Sequence, residues 1–185
     1  MYDKTVTLFN RYENQVGNVF WYPTVLKHVD LITDKVANVA RTGLDSADTA
    51  ALHVAYSPDN GDVIVQGKKW LPPKAWKAQT NEELLQSLTF ANTDFFVLGN
   101  FSKAEAAEDL YLLDSAGLTI IDSNDEPIIA PKNASDPAIV KDADYSNRVD
   151  RGFYDYLNKK YDSIFTISNV GGPYTVIPHF EIGGK

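Results

Sequence analysis

The sequence predicts a mainly β domain with a few short helices, an α+β fold built as a small antiparallel β-barrel or sandwich with a long arm, ending in a helix and a hairpin. Three observations predict it. Short runs of alternating apolar and polar residues recur along the chain, separated by clusters of Gly, Pro, Asn and Asp. Helical signals are confined to three places, two of which carry a capping-box pattern. A length of 185 residues with 44% hydrophobic content suffices for one core, so residues 1–185 are read as a single domain and not as disordered chain.

The elements follow in order. Thr5, Thr7 and Phe9 alternate with Val6 and Leu8 to give an opening strand, and Val19 to Leu26 gives a second after the polar connector at residues 14–18. Pro23 assigns part of that second run to an edge or a bulge, because proline donates nothing to a ladder. Ala50 to Tyr56 alternates with Leu52, Val54 and Tyr56 on one face, and Pro58-Asp-Asn-Gly61 is expected to turn it into a partner at Asp62 to Gln66. Asp94-Phe-Phe-Val-Leu98 and Leu118 to Ile121 are short apolar runs, flanked by Asn, Gly and Asp, suited to buried strands. The boxes Thr80-x-x-Glu83 and Ser102-x-x-Glu105 predict helices over 81–88 and 103–115. A third helix is expected over 146–160, where Val149, Phe153 and Leu157 recur at helical spacing. Residues 122–145 are rich in turn formers and are read as a loop or arm with one extended piece at Ile128-Ile129. Finally, Phe165 to Val170 and Tyr174 to Ile177 are expected to pair across Gly171-Gly172-Pro173, with Phe165, Ile167, Val176 and Phe180 completing the core.

Composition narrows the chemistry. The net charge of −8 opposes a surface devoted to duplex nucleic acid, and the lack of cysteine removes disulfide frameworks, thiolate nucleophiles and cysteine zinc sites. No window approaches the run of about 18 apolar residues that a membrane helix needs, and no secretion signal precedes Asn10, so a cytoplasmic start is expected and the two glycosylation sequons at Asn100 and Asn133 read as chance matches. His28, His53 and His179 are far apart in sequence without metal-ligand spacing, so each is expected to be structural, and neither a cofactor nor a metal is expected. Asp122 to Glu126 departs from a calcium loop at Pro127 and reads as a solvated acidic turn. A hydrolase drawing on scattered carboxylates with His53 or His179 would require the fold to gather them.

One basic and aromatic cluster stands out, made of Lys68, Lys69, Trp70, Lys74, Trp76 and Lys77. Such a mix suits a single-stranded nucleic-acid or carbohydrate surface, with lysines along a backbone and rings as stacking platforms. The alternative, favoured by the acidity of the chain, is that both tryptophans pack on the barrel while the lysines solvate its exterior.

Taken in order, Thr5-Val-Thr-Leu-Phe-Asn10, Trp21-Tyr-Pro-Thr-Val-Leu26, Lys69 to Trp76, Asp94-Phe-Phe-Val-Leu-Gly99, Ile164 to Ser168 and Pro178-His-Phe-Glu-Ile-Gly-Gly-Lys185 form a recognisable series. The series resembles the small minor capsid or head–tail junction proteins, connectors or stoppers, of tailed phages that infect Gram-positive bacteria. The resemblance covers both ends and the middle of the chain and rests on short structural motifs. It implies a non-enzymatic β-barrel virion subunit that forms a homo-oligomeric ring, meets a portal or adaptor protein and tail proteins, and lets packaged DNA pass nearby. It further implies assembly in the host cytoplasm, location at the neck of the virion, and no membrane contact. Subunit contacts are then expected at Ile128 and Ile129 in the arm, and at Pro178, His179, Phe180 and Ile182 along a last strand left open for a neighbour.

Overall fold

A computed structural model describes residues 2–34, 37–40, 43–46, 49–101 and 139–185. The expected helix over 103–115, its box at Ser102, the strand at 118–121, the acidic turn at Asp122, the Ile128-Ile129 piece and most of the 122–145 arm lie outside the described residues.

Two long strands open the chain, β1 (Lys4–Glu13) and β2 (Val19–Asp34), paired antiparallel from Lys4 opposite Val29 to Glu13 opposite Val19. A register shift between Lys4 and Thr5 leaves His28 as an extra residue, and its φ of 54° marks the bulge. Among the described residues, Pro23 lies where β2 has β1 as its sole strand neighbour, the place a residue without an amide proton tolerates. After a small ribbon of β3 (Ala37–Ala40) and β4 (Gly43–Ser46), β5 (Thr49–Ala55) pairs with the far end of β2.

A second sheet follows, β6 (Ser57–Asp59), β7 (Asp62–Val65) and β8 (Lys68–Trp70), then α1 (Pro73–Lys77), α2 (Asn81–Gln86) and β9 (Ser87–Leu88). The predicted Asn60-Gly61 turn is present, with φ of 49° and 89° suited to a tight two-residue hairpin. Its first strand is β6 and not β5. The chain changes sheets at Tyr56, so residues 62–65 pair with 57–59 while β5 stays in the barrel. Helix α2 starts as the sequence indicates, with the Glu83 carboxylate accepting from the Thr80 amide at 2.9 Å.

The barrel is completed by β10 (Phe95–Leu98), β12 (Ile164–Tyr174) and β13 (His179–Gly184). Its six strands run in the cyclic order β1, β10, β12, β13, β5, β2 and back to β1, each pair antiparallel. Between β10 and β12 lie β11 (Val140–Lys141), a 3-10 turn (Asp142–Tyr145) and α3 (Phe153–Lys160). The alternation read from the sequence fills the interior: Val6 and Leu8, Leu52 and Val54, Phe96, Phe165 and Ile167, and Phe180 and Ile182 form one cluster, to which Val65 and Leu88 of the second sheet add. The opposite face of β1 and β10 is buried as well, because α3 sets Phe153 and Leu157 over Phe9, Phe95 and Val97. A third cluster joins Trp76 and Leu84 of α1 and α2 to Tyr22.

Three further expectations are corrected. The last helix begins at Phe153 and not at residue 146: Asn147 Oδ1 accepts from the amides of Val149 and Asp150 at 2.7 Å each, which holds a turn there, and Val149 is 72% exposed. Gly152, φ 136°, follows with Asp142 Oδ2 at 2.3 Å from where a Cβ would stand, so only glycine fits the approach to α3. In the last hairpin, Gly171-Gly172-Pro173 lies inside β12 at a register shift, and the turn is Thr175 to Pro178, which carries Val176 out of the core to 96% exposure. The end of the 122–145 segment is packed and is not a free arm, since β11 pairs with β2 and Asp142 Oδ1 accepts from Trp21 Nε1 at 2.7 Å.

Candidate functional site

The turn that joins β12 to β13 projects two of the most exposed large apolar side chains of the described residues, Val176 at 96% and Ile177 at 70%. Tyr174 closes the ladder opposite His179, and its hydroxyl-bearing ring lies 5.0 Å from the imidazole. Pro173, Tyr174, Val176, Ile177, His179 and Glu181 line a shallow surface cleft at this tip. The base of the tip is tied to the barrel, because Tyr56 Oη donates to the Tyr174 carbonyl at 2.8 Å and the Tyr56 amide donates to the Pro178 carbonyl at 3.1 Å. An apolar, well-anchored projection of this kind is the surface on which association has least water to give up in specific hydrogen bonds.

Sheet register builds the polar flank of the tip. Glu181 on β13 stands opposite His53 on β5, which stands opposite Asp30 on β2, so three strands place an acid, an imidazole and an acid in one row on the exterior. His53 Nδ1 is 3.7 Å from Asp30 Oδ2, and the rings of His53 and His179 are 6.3 Å apart. His179 Nδ1 is 2.6 Å from the Ile177 carbonyl oxygen and its Nε2 is 3.3 Å from Glu181 Oε1. The carbonyl bond first, and the carboxylate beside it, hold the imidazole proton above the ordinary value of 6.5. Two histidines far apart in sequence thus share one patch, while His28 stands apart on its bulge. Among the described residues, no three His, Cys, Asp or Glu side chains are grouped so that they could hold a metal ion.

The predicted contact residues divide. Pro178 and His179 belong to the tip and are half-buried, whereas Phe180 and Ile182 are buried in the barrel at 0% and 1% exposure. The last strand is not left open for a neighbour: β13 pairs with β12 on one side and β5 on the other, so both of its hydrogen-bonding edges are used. Ile128 and Ile129 lie outside the described residues.

The basic and aromatic cluster does not form a stacking platform. Trp76 is fully buried, its ring edge-on to those of Tyr12 and Tyr22, and Trp70 is half-buried with its ring 5.1 Å from Phe180. Lys68 is turned inward and donates to Thr24 Oγ1 at 3.0 Å, with burial pushing its proton affinity down, and Lys69 pairs with Asp62 at 2.8 Å. Lys74 and Lys77 remain exposed on α1. Both tryptophans thus pack as the alternative expects, while Lys68 departs from it by turning inward where an exterior, solvated lysine was expected. The two consecutive prolines that open α1 at Pro72-Pro73 were the available signal that this segment starts a helix.

A second polar group missed in the sequence lies under the loop before β10. Asp94 is fully buried, with Oδ2 accepting from Asn10 Nδ2 at 2.8 Å and from the Ala91 amide at 2.9 Å, and Oδ1 accepting from the Arg11 amide at 2.9 Å. Burial pushes its proton affinity up to about 6 against these three donors. Its role is to tie β1 to the loop, since all its partners are groups of the barrel itself.

A family model, a family of unknown function designated DUF6751, matches residues 1–128. The chain belongs to that family. No curated protein and no solved structure gives a match. The DUF6751 match takes in β1, β2, β5 and β10 but stops short of β12 and β13, so the tip at Tyr174 to His179 lies beyond the matched segment.

Proposed function

We propose that this protein is a structural, non-enzymatic subunit of a tailed-phage head–tail junction, a connector or stopper that forms a homo-oligomeric ring between the portal or adaptor and the tail. The observation that carries the reading is the tip: a closed barrel, with its strand edges used internally, projects Val176 and Ile177 into solvent on a doubly anchored turn. A ring subunit needs such a projection, because a closed barrel offers its neighbours side chains and turns where an open sheet would offer a strand edge. The resemblance of the strand series to neck proteins supplies the setting, and the tip would lie between copies.

The test uses the full chain. Sedimentation of the wild type should show a concentration-dependent oligomer that Val176→Asp with Ile177→Asp abolishes, while the melting temperature stays within the range expected for surface changes of about 0.5 kcal/mol. Capture of purified phage portal and tail proteins by the wild type and not by the double variant would extend the result to the junction. A wild type that stays monomeric at high concentration and captures neither class of protein would sink the reading.

A further inference from the structure

We propose that residues 139–185 are an exchangeable unit, in which the β12–β13 hairpin of one copy of the chain seats in the barrel of a second copy and each completes the other's core. The inference goes beyond the ring reading and makes no use of the tip. Topology carries it. The barrel has one seat between β10 and β5, and the pair that fills it lies beyond the connection of residues 102–138. Apart from the pairing of β12 with β13, the ladders of β11, β12 and β13 all run to β2, β5 and β10. Helix α3 likewise sets Phe153 and Leu157 on Phe9, Phe95 and Val97.

The seat selects its occupant. Register is fixed from Gly184 opposite Ala50 to His179 opposite Ala55 on β5, and from Thr166 opposite Phe95 to Ile164 opposite Val97 on β10. Phe165, Ile167, Phe180 and Ile182 enter one cluster with Leu52, Val54 and Phe96. A Cβ at Gly184 would lie 2.9 Å from Phe96 Cζ, so the seat calls for glycine at that point. A second copy meets every one of these conditions, because its hairpin has the same sequence. Covalent geometry allows the exchange, since a connection of 37 residues reaches up to about 120 Å, against a radius of gyration of about 16 Å for a domain of this length. The exchanged pair repeats the contacts of the single copy, so the two forms differ mainly in tether entropy. Protein concentration then sets the balance, against an effective concentration on the order of mM or below. Both β12 and β13 are held on two edges, so the barrel must open before they trade places. Exchange therefore takes place as chains fold, and it survives later dilution.

The chain has no cysteine, so a pair introduced as His53→Cys with Glu181→Cys, opposite each other on β5 and β13, reports which copy supplies the hairpin. The full-length variant is refolded from urea at concentrations from about 1 µM to about 1 mM, diluted to one common concentration, oxidised, and run on a denaturing gel without reductant. Seating within one copy gives a monomer closed by an internal disulfide, and exchange gives a covalent dimer. By mass action the ratio of dimer to monomer should rise about tenfold for each tenfold step in refolding concentration. Each single-cysteine variant sets the background of surface oxidation, and Ala55→Cys with His179→Cys gives the same readout should the first pair fail to close. Adding Val176→Asp and Ile177→Asp should leave the ratio unchanged, because Val176 and Ile177 stand outside the core. Internally closed monomer at every concentration would overturn the exchange. A dimer that the single variants form equally, or that the two tip substitutions abolish, would overturn it too. Exchange in a chain that otherwise sediments as a monomer and captures no portal or tail protein would stand while the ring reading fell.

Discussion

Replacing Asp94 by asparagine gives a test of the buried knot that holds β1 to the loop before β10. Each carboxylate oxygen accepts from at least one N–H, so an amide at this position, however it is turned, aims its own NH2 at a donor. One hydrogen bond is lost and a buried donor is left facing another, which costs about 1–3 kcal/mol. The pH dependence is the sharper signature. Folding raises the proton affinity of Asp94 from 3.8 to about 6, so the folded state takes up a proton between those values. The stability tied to that proton is fully present below 3.8 and is lost as pH rises through about 6. Between pH 7.5 and pH 5 the wild type therefore gains about 1.4 kcal/mol from this group, and Asp94→Asn gains none. Urea unfolding of both proteins at the two pH values measures the gap between them, which cancels the contributions of exposed carboxylates. The gap should widen in favour of the wild type by about that amount at pH 5. A gap that stays constant, or narrows, would refute the argument that burial outweighs the three donors.

Two further predictions concern packing. Trp76→Ala should cost about 3–5 kcal/mol in urea unfolding because the indole is fully buried against Tyr12 and Tyr22. Trp76→Phe should cost clearly less, since the buried indole N–H has no hydrogen-bond partner among the described residues to lose. Gly184→Ala should destabilise by about 1–3 kcal/mol, because a Cβ there would lie 2.7 Å from Phe165 Cβ and 2.9 Å from Phe96 Cζ; an unchanged thermal midpoint would show that these rings give way freely.

Much of the barrel was legible because period-two alternation is a local property. Thr5 to Phe9, Leu52 to Tyr56 and Phe165 to Ile167 each announced a strand and, in part, its inner face. What local pattern does not carry is which strand pairs with which. The Asn60-Gly61 turn was readable, yet its first strand proved to be the three residues after Tyr56, since a change of sheet leaves no mark in alternation. Gly171-Gly172-Pro173 uses the same residues for a bulge that a turn would use, and only the pairing of Gly171 with Glu181 and Tyr174 with His179 separates the two. Val149 kept helical spacing with Phe153, but Asn147 competed for the backbone and won. The candidate site was the least legible part. His179, Glu181, His53 and Asp30 come from three strands, and their meeting depends wholly on register. The buried state of Asp94 likewise depends on Asn10 reaching it from β1.

The cyclic strand order also governs how this chain reaches its folded state. Strands β12 and β13 insert between β10 and β5, so the cylinder is incomplete until residues 164–184 are in place. A nascent chain that has emerged only through the DUF6751-matched segment holds four of the six staves, with β5 and β10 each lacking a neighbour. Contacts between such distant parts of a chain close slowly, because loop entropy is lost before they form. Newly made chains therefore spend an interval with two adhesive strand edges exposed. The net charge of −8 opposes contact between such half-built barrels while those edges are open.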